Sequence, residues 1–228
     1  SAYITRQRME RAVIYLQTRD LSLQELSEKV GYDTPQSFSK AFKRYFGFSP
    51  IAFRNTLPLV TTETTMAEDI SSIGLQEPEV LLLPTMHVAY IRIIGPYGEE
   101  ESYERGWGSL CDFLKEHTLQ SSATRWFGIS FEYTTVTQKK RCRFYACASV
   151  PQKIKPSGAI GSLTIEKGSY VVYTYQGSYK GLLQAYTHIY SKEKERLRNA
   201  LSFEEYVTWS KDPSEQITKI YIPICLNQ

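Results

Sequence analysis

The side chains best suited to chemistry in the first quarter of the chain lie between Thr34 and Phe46. Gln, Lys and Arg are interspersed there with hydroxyl residues, and the stretch contains no Asp or Glu. Gln can pair with adenine edges in the major groove of DNA, Lys with guanine, and hydroxyls with phosphate. This stretch therefore predicts a DNA-reading helix surface or, alternatively, the solvated face of a small bundle. Its candidate DNA-binding residues are Thr34, Gln36, Ser37, Ser39, Lys40, Lys43 and Arg44.

A second candidate is Glu204, which stands between Phe203 and Tyr206 in an aromatic-rich part of the chain. Residues 56–228 hold thirteen Tyr, five Phe and all three Trp. A desolvated carboxylate beside aromatic faces suits an organic cation. The alternative for any single Glu is a solvated surface side chain, and many of the aromatic residues will fill the core.

Helices are predicted to position the N-terminal candidates. Apolar residues at helical spacing within residues 3–17 indicate an amphipathic helix. A capping box begins a second helix at Ser22, and Gly31 stands where a left-handed terminator is needed. Thr34 caps a third helix, and Gly47 ends it. Two short helices joined by a tight turn containing Gly form a helix-turn-helix.

The charge distribution agrees with a nucleic-acid-binding segment at the N-terminus. The whole chain has a net charge of +3. Residues 1–55 hold nine Lys or Arg against five Asp or Glu, a net of +4, and residues 56–228 have a net of −1. A basic head on a nearly neutral body is typical of a DNA-binding domain followed by a domain with another task.

The same composition argues against membrane and metal partners. The longest apolar run, Val80 to Leu83, is far too short to cross a bilayer. No signal peptide is recognisable, so the cytoplasm is the expected compartment. The four cysteines form no CxxC pair and the three histidines are scattered, so neither a metal site nor a cofactor is expected.

The remainder of the chain is predicted to contain a linker and a duplicated domain. Residues 56–77 contain few large apolar residues and no clean period, which predicts a linker between domains at 1–55 and 78–228. Within 78–228, a strand–helix–strand–strand unit occurs twice.

The two units can be followed by their common steps. A β-rich run over 87–97 ends in Gly-x-Tyr, as does the run over 170–179. A helical stretch follows each run, and then a Phe-Glu-aromatic step at Phe131 and Phe203. The repeat predicts an α+β fold with a pseudo-twofold sheet. Both helices should lie on one face, leaving a ligand groove on the other face at the repeat junction.

The segment from Leu26 to Arg54, LSEKVGYDTPQSFSKAFKRYFGFSPIAFR, closely resembles the second helix-turn-helix of the AraC/XylS family of transcription regulators. Its Gly-Tyr step, Phe-Lys-Arg step, Phe-Gly, Ser-Pro and closing Phe-Arg all match the family pattern. The resemblance implies that Gln36 and Lys40 face bases. It also implies that phosphates are held by Thr34, Ser37, Lys43 and Arg44, and that Ser39 could take either role.

One departure from this family concerns the first helix. Family members carry two helix-turn-helix units joined by a long helix, and residues 3–9 resemble the start of that helix. The first unit is missing from this sequence, which also begins Ser1-Ala2 without Met, so we expect a fragment. With fewer phosphate contacts, this chain alone should bind DNA weakly at moderate salt.

Residues 78–228 resemble the GyrI-like effector-binding domain. The resemblance rests on Gly-Pro-Tyr and Gly-Ser-Tyr steps, on the Phe-Glu-x-Tyr motif that begins at Phe203, and on the closing Ile-Tyr-Ile-Pro from Ile220. Such domains serve as sensors of drugs or metabolites, often lipophilic cations. The resemblance makes Glu204 the pocket acid. The other candidate ligand-binding residues are Trp107, Tyr133, Tyr206 and Tyr221. The Phe131–Thr134 step lacks the family's proline, so a matching role for Glu132 is in doubt.

Together these features predict a ligand-responsive transcription regulator without catalytic residues. Its partners would be double-stranded DNA and a small-molecule effector, with RNA polymerase as a further candidate and no membrane. Two alternatives stay open: a hydrolase that uses Glu204 as a base on electrophilic small molecules, and a protein-binding inhibitor module.

Overall fold

A computed structural model describes most of the chain, which forms two compact units. The units comprise residues 1–59 with 199–201, and residues 60–198 with 202–228. The described residues are 5, 8–9, 11–13, 15–16, 21–55, 70–130, 142–193, 196–198 and 200–226.

The N-terminal unit is helical, as the sequence predicts. The described residues between 5 and 16 are helical, and their apolar face is buried. Three further helices follow: α1 at Leu23–Lys29, α2 at Pro35–Phe46 and α3 at Pro50–Asn55. Phe38, Phe42 and Phe53 are almost fully buried, and Phe42 lies within 6.0 Å of both other rings. Aromatic packing therefore holds α2 against its neighbours.

The helix ends are formed by the predicted capping residues. The Ser22 side chain accepts from the Glu25 amide, and the Glu25 carboxylate accepts from the Ser22 amide at 2.9 Å. Thr34 caps α2 by accepting from the Ser37 amide, and Gly47 ends it with φ +89°. Because a left-handed residue favours glycine, Gly47 ends α2 without strain.

The C-terminal unit is built on one eight-stranded antiparallel sheet with the order β1-β6-β8-β7-β3-β4-β2-β5. Two long helices accompany it, α4 at Glu100–Glu116 and α5 at Leu182–Glu193. The strands are β1 Glu79–Leu83, β2 Met86–Ile94, β3 Trp126–Ser130, β4 Arg143–Val150, β5 Ile160–Ile165, β6 Gly168–Gln176, β7 Phe203–Tyr206 and β8 Ile217–Pro223. The predicted α+β fold is confirmed.

The internal duplication is also present, with one strand more per unit than predicted. Each half has the order strand–strand–helix–strand–strand, because β1 and β5 precede the first predicted strand of each half. These two strands are exchanged between the halves, since β1 pairs with β6 and β5 pairs with β2. The sheet therefore has two lobes, β1-β6-β8-β7 and β3-β4-β2-β5, which meet where β3 pairs with β7.

Both helices lie on the same face of the sheet, as predicted. Leu110 and Leu114 of α4 pack on β2 and β4, and Ala185 and Ile189 of α5 pack on β6 and β8. The ligand groove expected on the opposite face stays a prediction. Side chains from both lobes lie buried on that face, among them Phe127, Tyr145, Tyr170, Phe203 and Tyr221. Large aromatic residues alternate along these strands and fill both faces.

Two further sequence assignments fall partly outside the described residues. Residues 56–69 of the predicted linker lie outside the described residues, but its last part packs on the sheet, where Leu75 is buried and bridges to Tyr175. Phe131 to Tyr133 also lie outside the described residues. Strand pairing aligns Phe127 with Phe203, because Phe127 pairs with Cys147 of β4 and Phe203 pairs with Tyr221 of β8. Cys147 and Tyr221 are equivalent in turn, since each is the partner of the corresponding residue of β2 or β6. In the first half, the position of Glu204 is therefore held by Gly128.

Candidate functional site

The polar side chains of α2 form an exposed surface. Its buried face carries Phe38, Ala41, Phe42 and Phe46, which orients the other residues outward. Gln36, Ser37, Lys40, Lys43 and Arg44 are exposed, as is the cap residue Thr34, and Ser39 is half-buried. No acidic residue occurs between positions 34 and 55, so this surface carries only positive charge.

A shallow, open depression runs along this surface. It is lined by Gln36, Ser37, Ser39, Lys40, Lys43 and Ser49. Ser49 is the one member that was not predicted from the sequence. Its side chain accepts from the Ala52 amide and so caps α3, and the start of α3 therefore borders the same depression as α2. Amide, hydroxyl and ammonium groups thus lie side by side on one surface, where all of them can contact the same bound nucleic acid.

Glu204 is a buried carboxylate at the junction of the two lobes. It lies on β7 opposite Gly128 of β3, and its exposed fraction is only 4%. The Tyr206 hydroxyl donates to Glu204 Oε2 at 2.8 Å, and Tyr186 of α5 provides a second hydrogen bond. Burial raises the pKa of the Glu204 carboxyl, and these two hydrogen bonds only partly oppose that effect.

Tyr206, which donates to this carboxylate, belongs to a group of aromatic rings from both halves of the unit. Trp107 of α4 lies 6.1 Å from Trp126, 5.8 Å from Tyr206 and 5.2 Å from Trp209. The rings meet edge to face, which is a favourable geometry. We call the group of Tyr103, Trp107, Trp126, Phe144, Tyr179, Tyr206 and Trp209 the aromatic cluster; its members are linked by ring contacts of 4.9–6.3 Å.

The two helices supply the sides of this site. Tyr103 and Trp107 are one helical turn apart on α4, and Tyr179 and Tyr186 come from the start and body of the α5 region. The charge of Glu204 contributes to raising the pKa of the Tyr103 and Tyr179 hydroxyls, although burial is the larger cause for both. Trp209 is 57% exposed, so the cluster extends from a buried acid to the surface.

Gly128 is a structural requirement of this site. A Cβ atom at position 128 would overlap the Tyr206 hydroxyl and lie 2.7 Å from the Phe144 ring. Glycine at this strand position therefore makes room for the side chain that donates to Glu204.

The predicted ligand residues do not all come together. The structure brings Trp107, Tyr206 and Glu204 to one place on the helix face. It puts Tyr221 on the opposite face, where its ring stacks on Phe203 at 4.6 Å. Residues on β8 alternate between faces, and Ile220 occupies the face that Glu204 shares. Tyr133 lies outside the described residues.

Five aromatic residues of the site were not predicted from the sequence: Tyr103, Trp126, Tyr179, Tyr186 and Trp209. A partial signal was available for Tyr103, because it precedes Trp107 by four residues on a predicted helix. Trp126 and Trp209 lie in different halves of the chain, and only the pairing of β3 with β7 brings them together.

Sequence comparison identifies the larger unit. Residues 76–224 match the family described as the GyrI-like small molecule binding domain. The chain belongs to the GyrI-like family. Residues 1–56 match a helix-turn-helix domain family. The predicted combination of an AraC-type helix-turn-helix with a GyrI-like domain is confirmed.

The curated relatives of this GyrI-like chain resemble its N-terminal unit. The Msm operon regulatory protein of Streptococcus mutans is 46% identical over 55 residues, which are 24% of this chain and 20% of the relative. The HTH-type transcriptional regulator AlkR of Acinetobacter baylyi is 43% identical over 53 residues, 23% of this chain and 17% of the relative. The matched segment thus spans about a fifth of these relatives.

Solved structures share the fold of the GyrI-like chain. The EcmrR C-terminal domain crystal structure has a TM-score of 0.50 and 17% identity over 65% of this chain and 96% of its own. EcmrR in a DNA complex studied by cryo-EM has a TM-score of 0.56 and 16% identity over 98% of this chain and 81% of its own. Among the described residues, no helix is both long and apolar enough to span a bilayer.

Proposed function

We propose that this chain is a ligand-responsive transcription regulator that binds DNA through α2 and an organic cation through Glu204. The observation that carries the proposal is the occurrence, in one chain, of a buried carboxylate beside an aromatic cluster and of an exposed helix surface whose charged residues are all cationic. The curated relatives, which are named as regulators, support the same function.

The charge of Glu204 favours a cation. The partners that the structure gives this carboxylate are the Tyr206 and Tyr186 hydroxyls, whereas its neighbour Glu205 is paired with Arg125. A buried anion costs several kcal/mol in effective desolvation, which neutral donors offset only in part. A bound cation would offset more of this cost, and each ring face would add about 0.5–2 kcal/mol.

We propose binding, not turnover, as the role of Glu204. The helix-turn-helix gives the chain an output other than turnover, and the curated relatives that share it are named as regulators. No Glu204-dependent hydrolysis of electrophilic ligands is expected.

The remaining assignments follow from this function. We propose a DNA-binding domain at 1–55, a linker at 56–77 in which Leu75 bridges to the sheet, and a ligand-binding domain at 78–228. Action on DNA would place the chain in the cytoplasm, and RNA polymerase would be a further partner.

Coupling between ligand and DNA is the test of the proposed function. A duplex selected by the chain from a random pool, carrying a far-red label, is titrated at low salt with and without rhodamine 6G, a lipophilic cation. We expect the cation to change DNA affinity by roughly 5- to 150-fold. DNA must then change the affinity for the dye by the same factor, because coupling is reciprocal.

Fluorescein serves as the matched control because it shares the xanthene ring system of rhodamine 6G but is an anion. It should leave DNA affinity unchanged. A chain that binds no duplex even at low salt would contradict the proposal, as would a DNA affinity that is the same with and without rhodamine 6G.

A separate prediction concerns the phosphate-binding side chains of α2. Replacing Lys43 or Arg44 with Ala should weaken DNA binding by a similar factor for all sequences. The negative slope of log K against log salt should become shallower by about one for each phosphate that loses its cation. Replacing Gln36 with Ala should instead relax sequence preference without changing the slope. Fluorescence anisotropy over a salt series distinguishes these results.

Lys29 provides the control, because it ends α1, outside the α2 depression. Its Ala variant should keep the wild-type salt slope. If the slope of log K against log salt is unchanged in both the Lys43 and Arg44 variants, α2 does not contact the DNA phosphates.

A further inference from the structure

The two lobes of the sheet are joined by a short strand pairing. β3 and β7 share only the pairs Phe127↔Glu205 and Gly128↔Glu204. The aromatic cluster crosses this junction on the helix face, because Trp107 and Trp126 come from one lobe and Tyr206 and Trp209 from the other. Its geometry thus depends on how β3 is held against β7.

On the opposite face, an ion pair crosses the same junction. Arg125, next to β3, donates from Nε to Glu205 Oε1 at 2.7 Å and from Nη2 to Oε2 at 2.8 Å. The Tyr221 hydroxyl donates to Glu205 Oε2 at 2.6 Å and accepts from Arg125 Nη2 at 3.2 Å. Such a bidentate pair fixes orientation as well as distance.

The environment of this pair favours its charged form. Burial would raise the pKa of the Glu205 carboxyl, but hydrogen bonds from Arg125 and Tyr221 and the nearby charge of Lys219 together lower it. The Arg125 side chain also lies over the Phe127 ring at 5.1 Å. Glu205 is therefore held ionised between groups from both lobes.

We propose that Arg125, Glu205 and Tyr221 form a clamp that positions the Glu204 site from the other side of the sheet. Glu204 and Glu205 are consecutive residues whose side chains point to opposite faces, so fixing Glu205 fixes the strand that carries Glu204. A ligand that enters the aromatic cluster displaces the rings of the cluster from one another. The clamp keeps β7 paired with β3 while those rings move. Arg125 and Glu205 are thus positioning residues.

The clamp can be tested without a ligand. All three tryptophans of the chain belong to the aromatic cluster, so tryptophan emission reports on that cluster alone. We expect Arg125→Gln and Glu205→Gln each to increase acrylamide quenching and to red-shift the emission of the folded protein. The exchanged pair Arg125→Glu with Glu205→Arg should reverse much of both changes.

Arg196 offers a closely matched control. Its side chain is 34% exposed and pairs with the buried Glu193 at 3.0 Å, whereas that of Arg125 is 36% exposed. Its ion pair lies within one lobe. Arg196→Gln should lower the melting temperature as Arg125→Gln does, yet leave tryptophan quenching unchanged.

The expected effect of the clamp on ligand binding rests on the proposed function. Rhodamine 6G affinity should fall by about tenfold in Arg125→Gln and Glu205→Gln, stay at the wild-type value in Arg196→Gln, and recover in the exchanged pair. Arg125→Lys, which keeps the charge but loses the bidentate geometry, should be intermediate.

The outcomes separate the two proposals. A wild-type chain that binds no cation refutes the proposed function, while the quenching comparison still decides the clamp. Wild-type quenching in Arg125→Gln, or an equal increase in Arg196→Gln, overturns the clamp.

Discussion

Replacing Glu204 with Gln is expected to remove most cation binding while leaving the fold intact. Breaking a buried charge pair from one side costs about 2–5 kcal/mol, or roughly 30-fold to several thousand-fold in affinity. The amide keeps the shape of the side chain and can still accept from a tyrosine hydroxyl, so packing is preserved. Rhodamine 6G anisotropy and calorimetry measure the loss.

The same substitution should raise the melting temperature at neutral pH or leave it unchanged, because burial raises the pKa of Glu204 and its ionised form is unfavourable in the empty site. At pH values between the ordinary pKa of a glutamate and the raised pKa of Glu204, the folded state binds more protons than the unfolded state. The free energy of unfolding therefore falls as pH rises through that window. Melting curves over pH should show this slope in the wild type and lack it in Glu204→Gln.

Cation binding should have the opposite dependence on pH. The ionised carboxylate attracts the cation, so affinity should fall as pH drops through the raised pKa of Glu204, with a midpoint above the ordinary value of 4.5. Rhodamine 6G keeps its charge over this range, which assigns the change to the protein.

Glu193 gives the matched comparison. It is also buried and accepts from a tyrosine hydroxyl, Tyr173 at 2.7 Å, but Arg196 neutralises it. Glu193→Gln should destabilise the fold and leave cation affinity unchanged. If Glu204→Gln binds rhodamine 6G as the wild type does, Glu204 is not the cation site.

The helical unit was predictable because its signals are local. A capping box at Ser22, a Thr-Pro start at Thr34 and a terminal Gly47 each act within a few residues, and all three appear in the structure. The duplicated unit was predictable for a similar reason, since each helix and strand carries its own periodicity.

The site was less predictable because its partners meet only through the sheet. The exchange of β1 and β5 between the halves, and the pairing of β3 with β7, depend on long-range contacts that no local pattern encodes. Tyr221 shows the consequence. Its motif was recognisable, but one position of alternation separates it from Ile220 and puts it on the other face from Glu204.

Gly128 carries the second large expected effect. Its replacement with Ala should force the Tyr206 hydroxyl or the Phe144 ring to move, because the added Cβ overlaps the first and meets the second at 2.7 Å. Overpacking of this kind costs about 1–3 kcal/mol, which exceeds the gain from a better strand former. Cation affinity should fall as well, since Tyr206 would leave Glu204. Chemical denaturation and rhodamine 6G titration measure the two effects.

Gly108 makes the comparison decisive because the same substitution there should have the opposite sign. It lies in α4 next to Trp107, and a Cβ atom at this position meets nothing within 4 Å. Gly108→Ala should therefore stabilise the helix by up to about 1 kcal/mol and leave cation affinity unchanged. If Gly128→Ala changed neither stability nor cation affinity, the position of Tyr206 would not depend on the absence of a side chain at residue 128. Position 128, which is equivalent to Glu204 in the first half, would then tolerate any small residue. Packing at Gly128 would no longer explain why only the second half carries a carboxylate at this position.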